Sequence, residues 1–185
     1  MMVDKRKFKD TNVSLLGLGT MRLPCETEQK RESNPNIDYD KAQSLVDLAY
    51  KNGVNYFDTA YMYHCGKSEA FIGYALKKYP RDTYFIADKL PIWMCDTKED
   101  MKRVFDEQLE RTGMDYFDFY LLHSLDKENF EKCENFDAYD FLKQMQKEDK
   151  IKYIGFSFHG TVDDLRNIVS AHKWDFAQIQ MNYLD

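Results

Sequence analysis

Three ionisable side chains close three successive apolar runs: Asp58 ends VNYFD (54–58), Lys89 follows FIAD (85–88), and His123 ends FDFYLLH (117–123). A tyrosine, Tyr63, follows Asp58 by five residues. A buried strand end rarely keeps an unpaired carboxylate, because lost hydration costs several kcal/mol. Singly, each residue has an ordinary explanation. Asp58 could cap a turn, His123 could be a satisfied core histidine, and Tyr63 could be a loop aromatic; Lys89 must snorkel to water or find an acid. Together they make a chemical group. A phenol, with an ordinary pKa of about 10, is a reluctant proton donor that a neighbouring ammonium improves. An aspartate paired with the lysine fixes that ammonium, so Lys89 is the expected partner of Asp58. A histidine can hydrogen-bond a substrate carbonyl and orient it. The set suits protonation of a carbonyl oxygen while hydride reaches its carbon. No side chain donates hydride, so a nicotinamide cofactor is implied.

Short apolar runs alternate with amphipathic stretches to position these residues. The strand-like runs are 13–21, 54–60, 83–90, 117–123, 152–158 and 176–183, nearly continuous in apolar residues as strands covered on both faces should be. Helical stripes fall between them: Ala42, Leu45, Val46 and Ala49; Ile72, Ala75, Leu76 and Tyr79; Met101, Val104, Phe105 and Leu109. Two more follow, Ala138, Phe141, Leu142 and Met145, then Val162, Leu165, Ile168 and Val169. Gly53 and Gly113 are expected C-caps, and Ser68 a cap for the helix beginning in GKSE. Alternating strands and helices imply right-handed parallel βαβ units, either an open doubly wound sheet or a closed (β/α)8 barrel. GLG (17–19) lacks the third glycine of a dinucleotide fingerprint, which weakens the open sheet. Ligands bind at the carboxyl ends of parallel strands, where these residues fall, with Ser157, His159, Gln178, Gln180 and Asn182 at the later ends.

The 185 residues suffice for one domain with a core, and the net charge of −6 is spread without a basic face. Nucleic acid and membrane are therefore not expected partners. MMVDKRKFKD has no apolar core of a signal peptide, and no apolar run reaches spanning length. Cys25, Cys65, Cys95 and Cys133 form no CxxC pair, which fits reduced thiols in a cytoplasm rather than a zinc or iron–sulfur site. A metal-dependent barrel hydrolase would need converging ligands, and the four histidines form no HxH pair.

The sequence resembles the aldo-keto reductase family along its whole length. The matching pieces are GLGTMRLP (17–24), FDTAYMYHCGKSEAFIGYAL (57–76), FIADKLP (85–91), DFYLLH (118–123), IGFSFHG (154–160) and FAQIQMNYLD (176–185). The resemblance implies a (β/α)8 TIM-barrel-type α/β fold in one domain over 1–185, with an N-terminal hairpin at roughly 5–16. It implies NADPH or NADH reducing a small aldehyde or ketone. Asp58, Tyr63, Lys89 and His123 match the catalytic tetrad, with Tyr63 the general acid. Ser157 and Gln178 match nicotinamide carboxamide contacts, Gly19 and Thr20 the first-strand segment near the cofactor, and Trp93 the substrate pocket.

The match departs from the family in three places. The fifth-strand motif usually reads Ser-Asn and here reads Ser157-Phe158-His159, which makes His159 a substitute candidate. The wording of MRLP and GFSFHG is similar to a bacterial subgroup that often carries a C-terminal ferredoxin-like segment, whose cysteines are absent. The sequence ends after the sixth strand, so a barrel truncated after about six βα strands is expected, with edges open to self-association. Two other readings follow: a non-catalytic cofactor-sensing or scaffold barrel, and an inactive fragment lacking the cofactor clamp. His64 and Cys65 read as bystanders.

Overall fold

The chain is described by a computed structural model over residues 2–27 and 34–182. It divides into two compact units, Met1–Asp88 with Gln108–Met114 and Lys89–Glu107 with Asp115–Asp185.

In the first unit, strands β1 (Lys5–Phe8) and β2 (Thr11–Ser14) form an antiparallel hairpin with Lys5 opposite Ser14. The continuous strand expected over 13–21 is two elements. β2 ends at Ser14, Leu15 and Leu16 are exposed, and a short parallel strand β3 (Leu18–Gly19) begins beyond Gly17. Asn55 binds the hairpin to the parallel strands: its Oδ1 accepts from Ser14 N at 2.8 Å and its Nδ2 donates to Asn12 O at 3.0 Å. Helix α1 (Tyr39–Lys51) leads to β4 (Tyr56–Asp58), helix α2 (Lys67–Leu76) to β5 (Phe85–Leu90). β3, β4 and β5 are parallel in chain order, with Gly19 opposite Asp58 and Asp58 opposite Ala87.

α1 ends as the sequence suggests. Gly53, at φ +93°, donates to Tyr50 O at 3.0 Å, and Val54 N donates to Ala49 O at 3.1 Å, the two bonds of a Schellman cap. The same pair closes α3 (Lys98–Thr112), where Gly113 N reaches Glu110 O at 3.1 Å and Met114 N reaches Leu109 O at 3.2 Å. At Gly73, α2 and the end of α3 approach so closely that an added Cβ would stand 2.0 Å from Thr112 O.

The second unit carries β6 (Phe117–Leu125), α4 (Lys127–Asn135), α5 (Ala138–Lys147), β7 (Ile151–Phe158), α6 (Val162–Ala171) and β8 (Phe176–Ile179). β6, β7 and β8 are parallel in chain order. Phe105 of α3 meets Phe117, Tyr120 and Phe141 edge-on, with ring centroids 5.8, 4.9 and 6.1 Å away. Burying each such ring contributes about 2 kcal/mol.

Three readings of the sequence need correction here. α4 was not expected, because KENFEKCEN is charged and only Cys133 of it is buried; its start is fixed by Asp126, whose side chain accepts from Asn129 N at 2.8 Å. The stripe of α6 is only part core: Ile168 is buried, but Val162 and Val169 are 65% and 52% exposed. β8 is shorter than the expected run over 176–183, and Tyr183 lies outside the described residues. Among the described residues no helix is long and apolar enough to cross a membrane.

Candidate active site

In the first unit Asp58 is the buried last residue of β4. Its backbone carbonyl receives two bonds from Thr20, one from the amide and one from Oγ1, both at 2.9 Å. A hydroxyl carries one proton. Since Thr20 gives its proton to Asp58 O, it must accept at 2.6 Å from Ser68 Oγ, and Ser68 in turn accepts from Thr59 Oγ1 at 2.9 Å. The result is a one-way chain, Thr59 to Ser68 to Thr20 to Asp58, in which each bond polarises the next. Ser68 is therefore not the helix cap that GKSE suggested. α2 starts after Gly66, which has no capping side chain, and Ser68 faces inward instead.

Tyr63 is half-buried and opens a 3₁₀ turn, Tyr63–Gly66. The next three residues are left-handed: His64 at φ +53°, Cys65 at +54° and Gly66 at +82°. His64, expected to be a bystander, is fully buried. Its Nδ1 donates to Asn34 O at 2.7 Å and its Nε2 accepts from Leu23 N at 3.1 Å, roles that only the neutral Nδ1–H ring can play together. It ties the Tyr63 turn to the segments around Leu23 and Asn34. Cys65 is exposed. Gly19, opposite Asp58, is exposed, and a Cβ built there would lie 3.9 Å from Asp58 Oδ2. Glycine thus leaves the edge beside the carboxylate bare.

In the second unit Lys89 is only 1% exposed although it lies one residue from the end of β5. His123 packs against Trp93, ring centroids 5.0 Å apart and tilted by 52°. Burial, helped by the nearby Lys89 ammonium and the His159 ring, holds the His123 imidazole down to a pKa of about 3. His123 is therefore neutral at neutral pH, able to donate a hydrogen bond without carrying charge.

The backbone explains how His123 is aimed. Leu122 pairs with Phe156 and Leu125 with Phe158, so His123 and Ser124 together oppose Ser157 alone. That is a β-bulge, with Ser124 left-handed at φ +55°. Two side chains close it: Ser157 Oγ accepts from Ser124 N at 2.6 Å, and Asn129 Nδ2 donates to Ser124 O at 3.0 Å. Ser124 and Asn129 were not among the expected site residues. Only Asp126, three residues before Asn129 as a helix cap would be, hinted at the turn.

A nicotinamide amide offers both a donor and an acceptor. Ser157, accepting from Ser124, keeps its O–H to donate; Gln178, its register partner on β8, is exposed and has both functions. The donor set fits a carboxamide. His159 is exposed, and its amide donates to Leu125 O at 2.9 Å. The structure thus places Gly19 and Thr20 beside Asp58, Trp93 beside His123, and Ser157 beside Gln178.

Comparison with known proteins gives these positions a family context. The model of the aldo/keto reductase family matches residues 15–185. An aldo-keto reductase of Gibberella moniliformis is 30% identical over 186 residues, covering 97% of this chain and 53% of that protein. An NADH-specific methylglyoxal reductase of Escherichia coli is 26% identical, over 95% of this chain and 57% of its own length. The holo form of an aldo-keto reductase from Bacillus halodurans superposes with a TM-score of 0.74 at 26% identity, covering 97% of this chain and 58% of that one. The fold is thus of the TIM-barrel type expected, and the chain spans about half the length of the curated relatives it matches.

Proposed function

The chain belongs to the aldo/keto reductase family, and from that premise we propose that it serves the reduction of a small aldehyde or ketone to an alcohol. Asp58, Tyr63, Lys89 and His123 act on one carbonyl group. NADPH or NADH supplies the hydride when bound. Tyr63 gives its phenolic proton to the carbonyl oxygen, Lys89 stabilises the phenolate left behind, and Asp58 holds the lysine charged. His123 donates a hydrogen bond to the same oxygen and orients it. Ser157 and Gln178 would hold the carboxamide, Gly19 and Thr20 would lie beside the cofactor, and Trp93 would wall the substrate pocket.

The observation that carries this reading is His123 itself. A histidine held neutral beside a buried lysine, aimed by a bulge and faced by an indole, is built for hydrogen bonding rather than for charge. A small carbonyl is also the substrate class named for the methylglyoxal reductase relative. Four cysteines without a CxxC pair favour a reducing, cytoplasmic setting, and the exposed Ile179 of β8, with Met181 just beyond it, favours self-association along that strand.

The test is Tyr63→Phe, with methylglyoxal as carbonyl and cofactor oxidation followed by absorbance. The wild type should turn over, and the variant should lose turnover while its cofactor fluorescence titration is unchanged. Retained turnover removes Tyr63 from the role. Cofactor binding by the wild type without turnover of any aldehyde would make the chain a cofactor-sensing barrel instead.

A further inference from the structure

Behind the Tyr63 turn lies a buried polar network that the proposed reaction does not use. Glu69, in the first turn of α2, Asp88 of β5 and Gln108 of α3 are all fully buried. Gln108 Nε2 spends its two protons on the two acids, reaching Glu69 Oε1 at 3.0 Å and Asp88 Oδ1 at 2.9 Å. Arg111, three residues on along the same helix face, donates through Nη1 to Glu69 Oε2 at 3.0 Å. Both oxygens of Glu69 are thus held by α3. Burial pushes the Glu69 carboxyl up, against the pull of Gln108 and Arg111.

Arg111 then reaches the turn. Its guanidinium lies over the Tyr61 ring, 4.2 Å from the centroid. A Cβ on Gly66 would lie 3.5 Å from Arg111 Nη1 and 3.6 Å from Tyr61 O. One cation therefore lies over the ring at the entry of the segment whose third residue is Tyr63, and fills the space beside Gly66 at its exit. Two non-glycine residues between, His64 and Cys65, are left-handed, a sparsely populated conformation that persists only where the surroundings over-determine it. Buried ion pairs add little stability over well-packed apolar residues, so such a network is better explained by the geometry it imposes.

We propose that Arg111, clamped by Glu69, which Gln108 holds in turn, is a positioning residue that fixes the segment 61–66 and with it the phenol of Tyr63. The role of that phenol rests on the reading above; the fixing of the segment does not. Arg111 touches no reacting atom and works through Tyr61 and Gly66. Lysine could supply its charge but not the planar group that stacks on Tyr61 while bonding Glu69.

Hydrogen exchange measured by mass spectrometry on the wild type, Arg111→Met and Arg111→Lys tests this without reference to turnover. In Arg111→Met the amides of 61–66 should exchange at least tenfold faster, while those of β6 and β7 are unchanged. Arg111→Lys should fall between. Unchanged exchange over 61–66 in a folded Arg111→Met protein overturns the proposal. If Arg111→Met loses β6 and β7 protection as well, Arg111→Lys decides by the same comparison. Turnover separates the two readings. A wild type without reductase activity refutes the role of Tyr63 and leaves Arg111 to be judged by exchange. In an active enzyme Arg111→Met should lower kcat tenfold or more with KM within twofold, and a change in KM alone counts against positioning.

Discussion

The depressed pKa of His123 makes a quantitative prediction about stability and pH. The folded pKa of about 3 lies below the unfolded value of 6.5, so between these limits the unfolded chain binds the extra proton. Stability from this group is therefore full above pH 6.5 and is lost as pH falls. Between pH 7 and pH 5, linkage gives a loss of about 1.9 kcal/mol from His123 alone. The result is robust, because a folded pKa of about 4 would give about 1.8 kcal/mol over the same interval. The assay is urea unfolding of wild type and His123→Asn at both pH values. Other titrating groups contribute equally to the two proteins, so the difference of differences isolates His123. The wild type should lose about 1.9 kcal/mol more than the variant between pH 7 and pH 5. A difference under about 0.5 kcal/mol would mean that His123 charges readily in the folded state, against the burial from which its neutrality was argued.

Two glycines separate crowding from backbone conformation. Gly73→Ala drives a Cβ into Thr112 O and should cost more than about 3 kcal/mol or prevent folding. Gly113→Ala meets nothing within 4 Å and pays only for φ +63°, about 1–2 kcal/mol; equal losses in urea unfolding would refute the close approach of α2 and α3. Ser68→Ala removes two of the three bonds of the hydroxyl chain and should cost about 1–3 kcal/mol. The exposed Ser170→Ala should cost under about 0.5 kcal/mol, and a Ser68 variant as mild as that would dissolve the chain.

The residues legible in the sequence are those in conflict with their surroundings. A carboxylate, an ammonium and an imidazole closing apolar runs demand a reason, and so Asp58, Lys89 and His123 could be picked out by type and place. Gly53 and Gly113 were legible for a related reason, since a glycine after a helical stripe answers a need for positive φ. The supports of the site carry no such conflict. Thr20 and Thr59 are ordinary residues just past strand ends and Ser68 an ordinary helix residue, and their chain of bonds joins positions up to 48 apart. Ser124 adopts φ +55° without being a residue that favours it, because Ser157, 33 positions on, holds its amide. The structural part of His64 was not legible because its two partners are backbone groups, to which any segment could contribute. Amphipathic patterning failed where charge hid a helix, in α4, and where apolar residues stay exposed, in α6. Side-chain chemistry is local and can be read from one position. Its aim depends on pairings that only the folded backbone brings together, so the same four ionisable residues in a chain without Ser157, Asn129 or Arg111 would keep their types and lose their directions.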